Sequence, residues 1–270
     1  MKTLFYKPPF QSVCAITTNC EILCELISLK YGKYVDCFPE NADIEITALK
    51  ENDHYIITTP SGKSVTDDPL IYIDRYIFTQ TKYSEKIFAL HGAAVEYGGK
   101  CYIFPATTTS GKTTLASYLS LSGFGYLTDD CALIDRNNLT VHPFATPPQI
   151  RDGGMEVLKN YGTVPNNVKL VCFSALQHRY IYTPPNIPSS PVPLGGIFFI
   201  ERTESINRVV KMSTNEKITE LMKSPITPYP IDGDYIRFLS RLAMVDCKRL
   251  LYCDMKYVKE LIENGKIHDE

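Results

Sequence analysis

Ala106-Thr107-Thr108-Thr109-Ser110-Gly111-Lys112-Thr113 is the stretch that decides the fold class of this sequence. It matches the pattern G-x-x-x-x-G-K-[ST], except that alanine occupies the position of the first glycine. The run Cys101–Phe104 before it is strand-like, and Thr113–Leu121 after it has helical spacing, with Gly123 as a helix stop signal. This succession of strand, loop and helix predicts an α/β fold.

A loop of this kind binds phosphate, because its unpaired backbone N–H groups and the positive end of the following helix favour an anion. Gly111 permits close approach of the backbone, Lys112 supplies a positive charge, and the Thr113 hydroxyl can hold Mg²⁺. We therefore predict ATP and Mg²⁺ as cofactors. The alternative, a loop that only resembles the pattern, is disfavoured by its setting between strand and helix. The predicted nucleotide contacts are Ala106, Thr107, Thr108, Thr109, Ser110, Gly111, Lys112, Thr113 and Thr114.

An acidic pair, Asp129-Asp130, follows the short strand-like segment Tyr126–Thr128. We expect this strand to lie next to the strand before the loop, so that both carboxylates reach the phosphates. One carboxylate can then support the metal ion, and the other can accept the proton of an attacking hydroxyl. The alternative is a solvated turn before a hairpin. His91 is expected at a strand start, where a histidine is more often structural, but Gly92 beside it allows close approach.

The composition is that of a globular protein with a core, since 44% of the residues are hydrophobic and 21% are charged. A net charge of −2 gives no attraction to nucleic acid or to an acidic membrane. The N-terminus lacks the apolar run of a signal peptide, and no apolar stretch is long enough to span a bilayer. We therefore predict a cytoplasmic protein, and a homo-oligomer is left open.

Nine cysteines are spread along the whole chain, an odd number that is typical of reduced, buried thiols rather than of a disulfide scaffold. Cys14, Cys20, Cys24 and Cys37 lie near one another in sequence, so a zinc site is the alternative. The cluster contains no Cys-x-x-Cys pair and no histidine, which favours packed core cysteines.

Two parts are predicted along the chain, a small α+β module over residues 1–85 and a phosphate-binding domain over residues 86–270. The first has a helical pattern at Cys20–Lys30, and the second has hairpin turns at Gly98-Gly99 and Asn137-Asn138. Further predicted elements are strands at Asp43–Thr47, His54–Thr59, Ile197–Ile200 and Leu250–Cys253 and helices at Leu70–Gln80, Thr214–Lys223, Asp234–Asp246 and Lys256–Asn264.

Three segments together resemble the C-terminal catalytic domain of HPr kinase/phosphorylase: Leu90-His91-Gly92, the loop Ala106–Thr113, and Leu127-Thr128-Asp129-Asp130. The resemblance covers about residues 86–254 and implies a P-loop sandwich of the kind also related to phosphoenolpyruvate carboxykinase. It implies phosphorylation of a protein serine, with His91 near the transferred phosphate, Lys112 on phosphate, Thr113 on Mg²⁺ and Asp130 as the proton acceptor. Asp129 would support the metal or the acceptor.

The sequence departs from this family at Gln149, in the stretch Gln149-Ile150-Arg151-Asp152-Gly153, where the family carries a metal-binding glutamate. The glycine-rich signature of the phosphorylase reaction is also not evident, and residues 1–85 do not resemble the family. The chain is more similar to the shorter HPr-kinase-like proteins found with peptide natural-product genes. Some of those, in lasso-peptide clusters, phosphorylate the C-terminal serine of a precursor peptide.

The predicted function is therefore ATP-dependent transfer of a phosphoryl group to a serine or threonine of a peptide or protein. Arg151, Arg202 and Arg237 are candidate phosphate or substrate contacts, with surface arginine as the alternative. Three rival functions stay open: a kinase for free serine or a sugar, a non-catalytic nucleotide-binding module in which Gln149 marks decay, and carboxykinase-like chemistry.

Overall fold

The computed structural model describes residues 1–7, 12–35, 41–80, 86–107, 110–174, 177–226 and 231–265. The chain forms two compact units. The first consists of Met1–Ser84 together with Val168–Ile181, and the second consists of Glu85–Asn167 and Tyr182–Glu270. Among the described residues, no helix is both long and apolar enough to cross a membrane.

The regular elements alternate along the chain. The strands are β1 Lys2–Tyr6, β2 Cys14–Thr18, β3 Ile44–Glu51, β4 His54–Thr59, β5 Gly62–Thr66, β6 Ile87–Tyr97, β7 Lys100–Pro105, β8 Gly125–Thr128, β9 Cys131–Asp135, β10 Thr140–His142, β11 Gln149–Ile150, β12 Lys169–Ser174, β13 Gln177–Ile181, β14 Val192–Arg202, β15 Arg208–Lys211 and β16 Cys247–Tyr252. The helices are α1 Glu21–Tyr31, α2 Pro69–Gln80, α3 Lys112–Leu121, α4 Asp152–Asn160, α5 Thr214–Lys223, α6 Gly233–Met244 and α7 Met255–Glu263.

The first unit is a five-stranded sheet in the order β1-β2-β3-β4-β5, with β2 and β3 parallel and the other pairs antiparallel. Alternate residues of β3 and β4 are buried, as the two-residue period of a half-buried sheet requires. α1 and α2 pack against the sheet, with Leu23, Ile27 and Ile73 fully buried. The small α+β architecture predicted for this part is present.

The antiparallel hairpin of β12 and β13 belongs to this first unit although it comes much later in the chain. Arg179 Nη2 lies 2.6 Å from Asp68 Oδ2, and both side chains are nearly buried. Asp68 Oδ1 also accepts from the backbone N–H of Ile71 in the first turn of α2. A second ion pair, between Lys169 and Glu25, is half exposed. The Arg179–Asp68 pair therefore anchors the hairpin.

Replacing Arg179 by leucine is expected to lower the free energy of unfolding by about 3–5 kcal/mol, because the buried Asp68 carboxylate loses its partner. Lys169→Leu is the matched control, since its exposed pair should contribute less than about 1 kcal/mol. Denaturant titration followed by circular dichroism measures both. Equal losses in the two variants would contradict the anchoring role of Arg179, and adding Asp68→Asn to Arg179→Leu should recover part of the loss.

The second unit is built on a sheet in the order β10-β9-β6-β7-β14-β16-β15, with β8 also paired to β6. β7, β14 and β16 are parallel, so their last residues, Pro105, Arg202 and Tyr252, come to the same edge of the sheet. Alternate residues of β7 point to opposite faces. Ile103 joins the core made with α5 and α6, and Phe104 packs with Phe198 on the other face.

The prediction of a mixed α/β fold is confirmed, and both predicted hairpins form antiparallel pairs, β6–β7 and β9–β10. The prediction that His91 begins a strand is wrong, since β6 starts at Ile87 and His91 lies inside it. Packed core cysteines are also confirmed where the structure describes them, with Cys14, Cys20 and Cys24 buried and free. Cys37 lies outside the described residues.

Candidate phosphate-binding and acid pair site

The loop after β7 lies between a strand and a helix, as its sequence predicts. β7 ends at Pro105, and α3 begins at Lys112. Between them, Gly111 is the N-cap residue with φ of 90°, a left-handed conformation that glycine adopts without strain. Ser110 Oγ is buried and has no hydrogen-bond partner within the described part of the chain. Thr108 and Thr109, two of the predicted nucleotide contacts, lie outside the described residues.

Lys112 is a buried cation at the head of α3, with 7% of its surface exposed. Its Nζ donates to the backbone oxygens of Ala106 at 2.8 Å and Thr107 at 2.9 Å. An ammonium group has three donors, so one N–H is left for another acceptor. Burial lowers the pKa of Lys112, and the nearby carboxylates of Asp130 and Asp129 oppose that shift. Lys112 therefore faces both the loop and the acid pair.

The two threonines that follow Lys112 take different environments. Thr113 is half-buried in the first turn of α3, next to the loop. The Thr114 side chain packs against Gly154 of α4. Thr113 is therefore placed to contact a ligand in the loop, and the side chain of Thr114 instead joins the two helices.

The acid pair, Asp129-Asp130, lies at the bend between β8 and β9. We expected β8 to lie beside β7, but both β8 and β9 pair with β6 in antiparallel fashion. The expectation was wrong because the sheet is parallel only from β7 onward through β14 and β16. The acids still reach the loop, because Gly92 of β6 is in register with Pro105 and its N–H donates to the Asp130 backbone oxygen at 3.2 Å.

The Asp129 side chain is held in place by a hydrogen bond from a buried tyrosine. The hydroxyl of Tyr126 donates to Asp129 Oδ1 at 2.8 Å, and its ring is fully buried. Burial raises the pKa of Tyr126, with the Asp129 charge acting in the same direction, so the phenol stays protonated and remains a donor. This leaves the orientation of the Asp129 carboxylate fixed by the protein core.

Asp130 lies beside His91. Nδ1 of His91 is 3.3 Å from Asp130 Oδ1, and the two side chains are 35% and 42% exposed. Burial lowers the pKa of His91; the Asp130 charge opposes this shift and the Lys112 charge adds to it. The imidazole is therefore neutral at neutral pH. Gly92 lets β6 approach closely, since a Cβ there would lie 3.1 Å from the Phe104 backbone oxygen.

Some of the other predicted site residues lie near the loop, and others lie on the exposed surface. Gln149 is half-buried in β11, a strand that contacts α3, and Arg151 is the exposed N-cap of α4. Arg202 ends β14 at the edge that the loop occupies. Arg237 is exposed on α6 and forms an ion pair with Asp234 of the same helix. The structure brings together His91, Lys112, Asp129 and Asp130, with Thr113 beside them, and leaves Arg237 in a surface pair.

Sequence reasoning missed two tyrosines at this site. Tyr126 could have been found, because it lies in the short strand that leads directly into Asp129. A buried tyrosine hydroxyl there needs a hydrogen-bond partner. Tyr252 ends β16, and its hydroxyl lies 3.4 Å from the position that a Cβ on Gly111 would take. No local pattern signals Tyr252, because only the parallel pairing of β16 with β14 brings it to the loop.

The donor set is suited to Mg²⁺, which prefers oxygen ligands and is usually held by one or two carboxylates together with phosphates and water. Thr113 offers a hydroxyl, Asp129 a carboxylate oriented by Tyr126, and Gln149 an amide oxygen. No group of three or more His, Cys, Asp or Glu side chains that could hold a metal is found in the described ranges.

Comparisons with known proteins find similarity among solved structures. No protein-family model matches the chain, and no curated protein matches it. Among solved structures, the chain is similar to the Hpr(Ser) kinase/phosphatase from Coxiella burnetii, at 9% sequence identity and a TM-score of 0.33. The match covers 66% of this chain and 96% of that one. That protein bears the name of the family that the sequence motifs resemble, and at so low a TM-score the match adds no weight to a functional assignment.

Proposed function

We propose that this protein is an ATP-dependent kinase that transfers the γ-phosphoryl group to a serine or threonine hydroxyl of a peptide or protein. The observation that carries the proposal is the buried ammonium group of Lys112 at the head of α3, with the Asp129-Asp130 pair in its field. A bound nucleoside triphosphate would contact the loop and the lysine and lie close to the acid pair.

A buried cation that lacks a carboxylate in direct contact is costly to a fold, because burial disfavours the charged form. Lys112 bonds only loop carbonyls within the described residues, and its lowered pKa reflects that cost. The unpartnered Ser110 hydroxyl in the same loop is a second such cost. Both are relieved by a ligand rich in anionic oxygens, which supports phosphate as the occupant.

The proposed reaction divides the acids into two roles. Asp130, half exposed and free to meet an acceptor, takes the proton of the attacking hydroxyl as its oxygen forms a bond to the γ-phosphorus. The bond from that phosphorus to the β–γ bridging oxygen breaks, and ADP leaves with the electron pair. Lys112 stabilises the charge on the phosphate oxygens, and the neutral His91 ring lies beside the Asp130 carboxylate, 3.3 Å from its Oδ1.

Magnesium would be held by Thr113 and Asp129, with Gln149 as a weaker, neutral ligand, and when bound it would neutralise charge on the triphosphate. Tyr126 orients Asp129 for this role by donating a hydrogen bond to its Oδ1. The finer part of the proposal is the acceptor. Because of the resemblance to kinases of natural-product clusters, we propose a precursor peptide with a C-terminal serine.

An acceptor panel tests the function. The purified chain is incubated with ATP and Mg²⁺ and with peptides ending in serine, the same peptides ending in alanine, free serine and simple sugars, and products are weighed by mass spectrometry. Addition of one phosphoryl group to the serine peptides alone supports the proposal. Phosphorylation of only the small molecules would replace the acceptor class, and tight ATP binding without turnover on any acceptor would overturn the kinase assignment.

A further inference from the structure

Tyr252 lies at the phosphate-binding loop without any role in the reaction described above. It is the last residue of β16, which is parallel to β14, itself parallel to the β7 strand that leads into the loop. Its side chain is 3% exposed. The hydroxyl oxygen is 3.4 Å from the position of an added Cβ on Gly111, the residue that caps α3. The phenol is therefore buried with its polar end at the turn of the loop.

The hydroxyl of Tyr252 has no hydrogen-bond partner among the described residues, although its ring is enclosed. The neighbouring Tyr161 differs, since its hydroxyl donates to Asp254 Oδ1 at 2.8 Å and accepts from the backbone N–H of Met255 at 3.1 Å. The Tyr252 hydroxyl can therefore take a partner that arrives with a ligand.

The chemistry of this group fits an anionic partner. Burial raises the pKa of Tyr252 to about 12, so the phenol is protonated and can donate at neutral pH. Arg202, in register with Tyr252 on the neighbouring strand, opposes that shift and so adds positive potential at the same place. The loop amides on one side and these two side chains on the other would enclose a phosphate group.

We propose that Tyr252 is a nucleotide-binding residue whose hydroxyl donates a hydrogen bond to a phosphate oxygen held by the Gly111–Thr113 turn. This inference rests on the proposed nucleotide site. It adds a contact from the end of β16, which is distant from the loop in sequence, so that the strand and the loop bind the same phosphate groups.

Tyr252→Phe removes only the hydroxyl and tests the contact. Calorimetric titration with ADP·Mg²⁺ and with inorganic tripolyphosphate·Mg²⁺ should give affinities lowered by about 10-fold or more for both ligands, as expected for a hydrogen bond to a charged acceptor. The matched control is Tyr102→Phe. Tyr102 is also nearly buried, but its ring lies over Gly195 within the sheet, and its loss of a hydroxyl should leave both affinities unchanged.

Thermal unfolding separates a ligand contact from a packing role. Because the hydroxyl is unpaired without ligand, Tyr252→Phe should leave the melting temperature of the ligand-free protein unchanged or raise it, and should reduce the upward shift that ADP·Mg²⁺ causes. Wild-type affinity retained by Tyr252→Phe, or a lower ligand-free melting temperature with unchanged affinity, would overturn the inference. Failure of the wild-type chain to bind either ligand would instead overturn the proposed function.

Discussion

Asp130→Asn is expected to bind ATP normally and to transfer phosphate about 10²–10⁴-fold more slowly. Asparagine keeps the size and the polar contacts of the side chain but cannot accept the hydroxyl proton. The fold should tolerate the change, because Asp130 is half exposed, its backbone oxygen accepts from the Gly92 N–H, and its own N–H donates to Thr128 Oγ1. The rate of ADP formation with the phosphorylated acceptor, measured at saturating ATP, gives the effect.

Asp129→Asn is the matched control for the division of roles. The amide oxygen of asparagine can still accept from Tyr126, so the geometry of the bend should persist. We expect weaker binding of Mg²⁺·ATP and partial recovery at higher Mg²⁺ concentration, whereas Asp130→Asn should show no recovery. A normal transfer rate in Asp130→Asn would remove it as the proton acceptor, and equal recovery of both variants by Mg²⁺ would contradict the separate roles.

The parts of the site that the sequence predicted are local in the chain. The loop from Ala106 to Thr113 can be recognised because the glycine, lysine and threonine of its motif are consecutive in the sequence. The strand and helix on either side of it also have clear periodicity. Gly111 in particular takes the left-handed conformation that only its position in the motif could indicate. Asp129 and Asp130 were found for the same reason, as neighbours at the end of a short apolar strand.

The arrangement of these parts could not be predicted, because it depends on strand register. We expected β8 beside β7, yet β6 separates them in the sheet and places His91 opposite Cys131, next to Asp130. Tyr252 reaches the loop only through two successive parallel pairings. Apolar alternation reveals that a residue is in a strand, but not which strand lies next to it.

Two further omissions have physical reasons of their own. α4 begins Asp152-Gly153-Gly154, and two glycines in a first turn argue against a helix on propensity alone. The β12–β13 hairpin packs into the first unit through the Arg179–Asp68 pair, which joins residues far apart in sequence. Such long-range pairs leave no local pattern, so the first unit was predicted as the continuous segment 1–85.

Lys112→Met is expected to abolish nucleotide binding and to leave the stability of the ligand-free fold nearly unchanged. Methionine fills a similar volume and carries no charge, so the buried site no longer holds an ammonium group away from water. The lowered pKa has a definite sign here: the unfolded chain binds the proton more tightly than the folded one, so the cation disfavours folding at neutral pH. Losing the bonds to Ala106 and Thr107 offsets this gain, and we expect a melting temperature within about 3 °C of wild type.

The opposite effects on ligand binding and on stability distinguish a functional lysine from a structural one. Lys248→Met is the control matched for burial, since Lys248 is 7% exposed in β16 and lies 3.6 Å from the Asp246 carboxylate, which would lose this ion pair. That variant should lose stability and keep its affinity for ADP·Mg²⁺, while Lys112→Met should do the reverse. If Lys112→Met unfolds more easily than Lys248→Met yet still binds ADP·Mg²⁺, the lysine serves the fold and the loop does not bind phosphate through it.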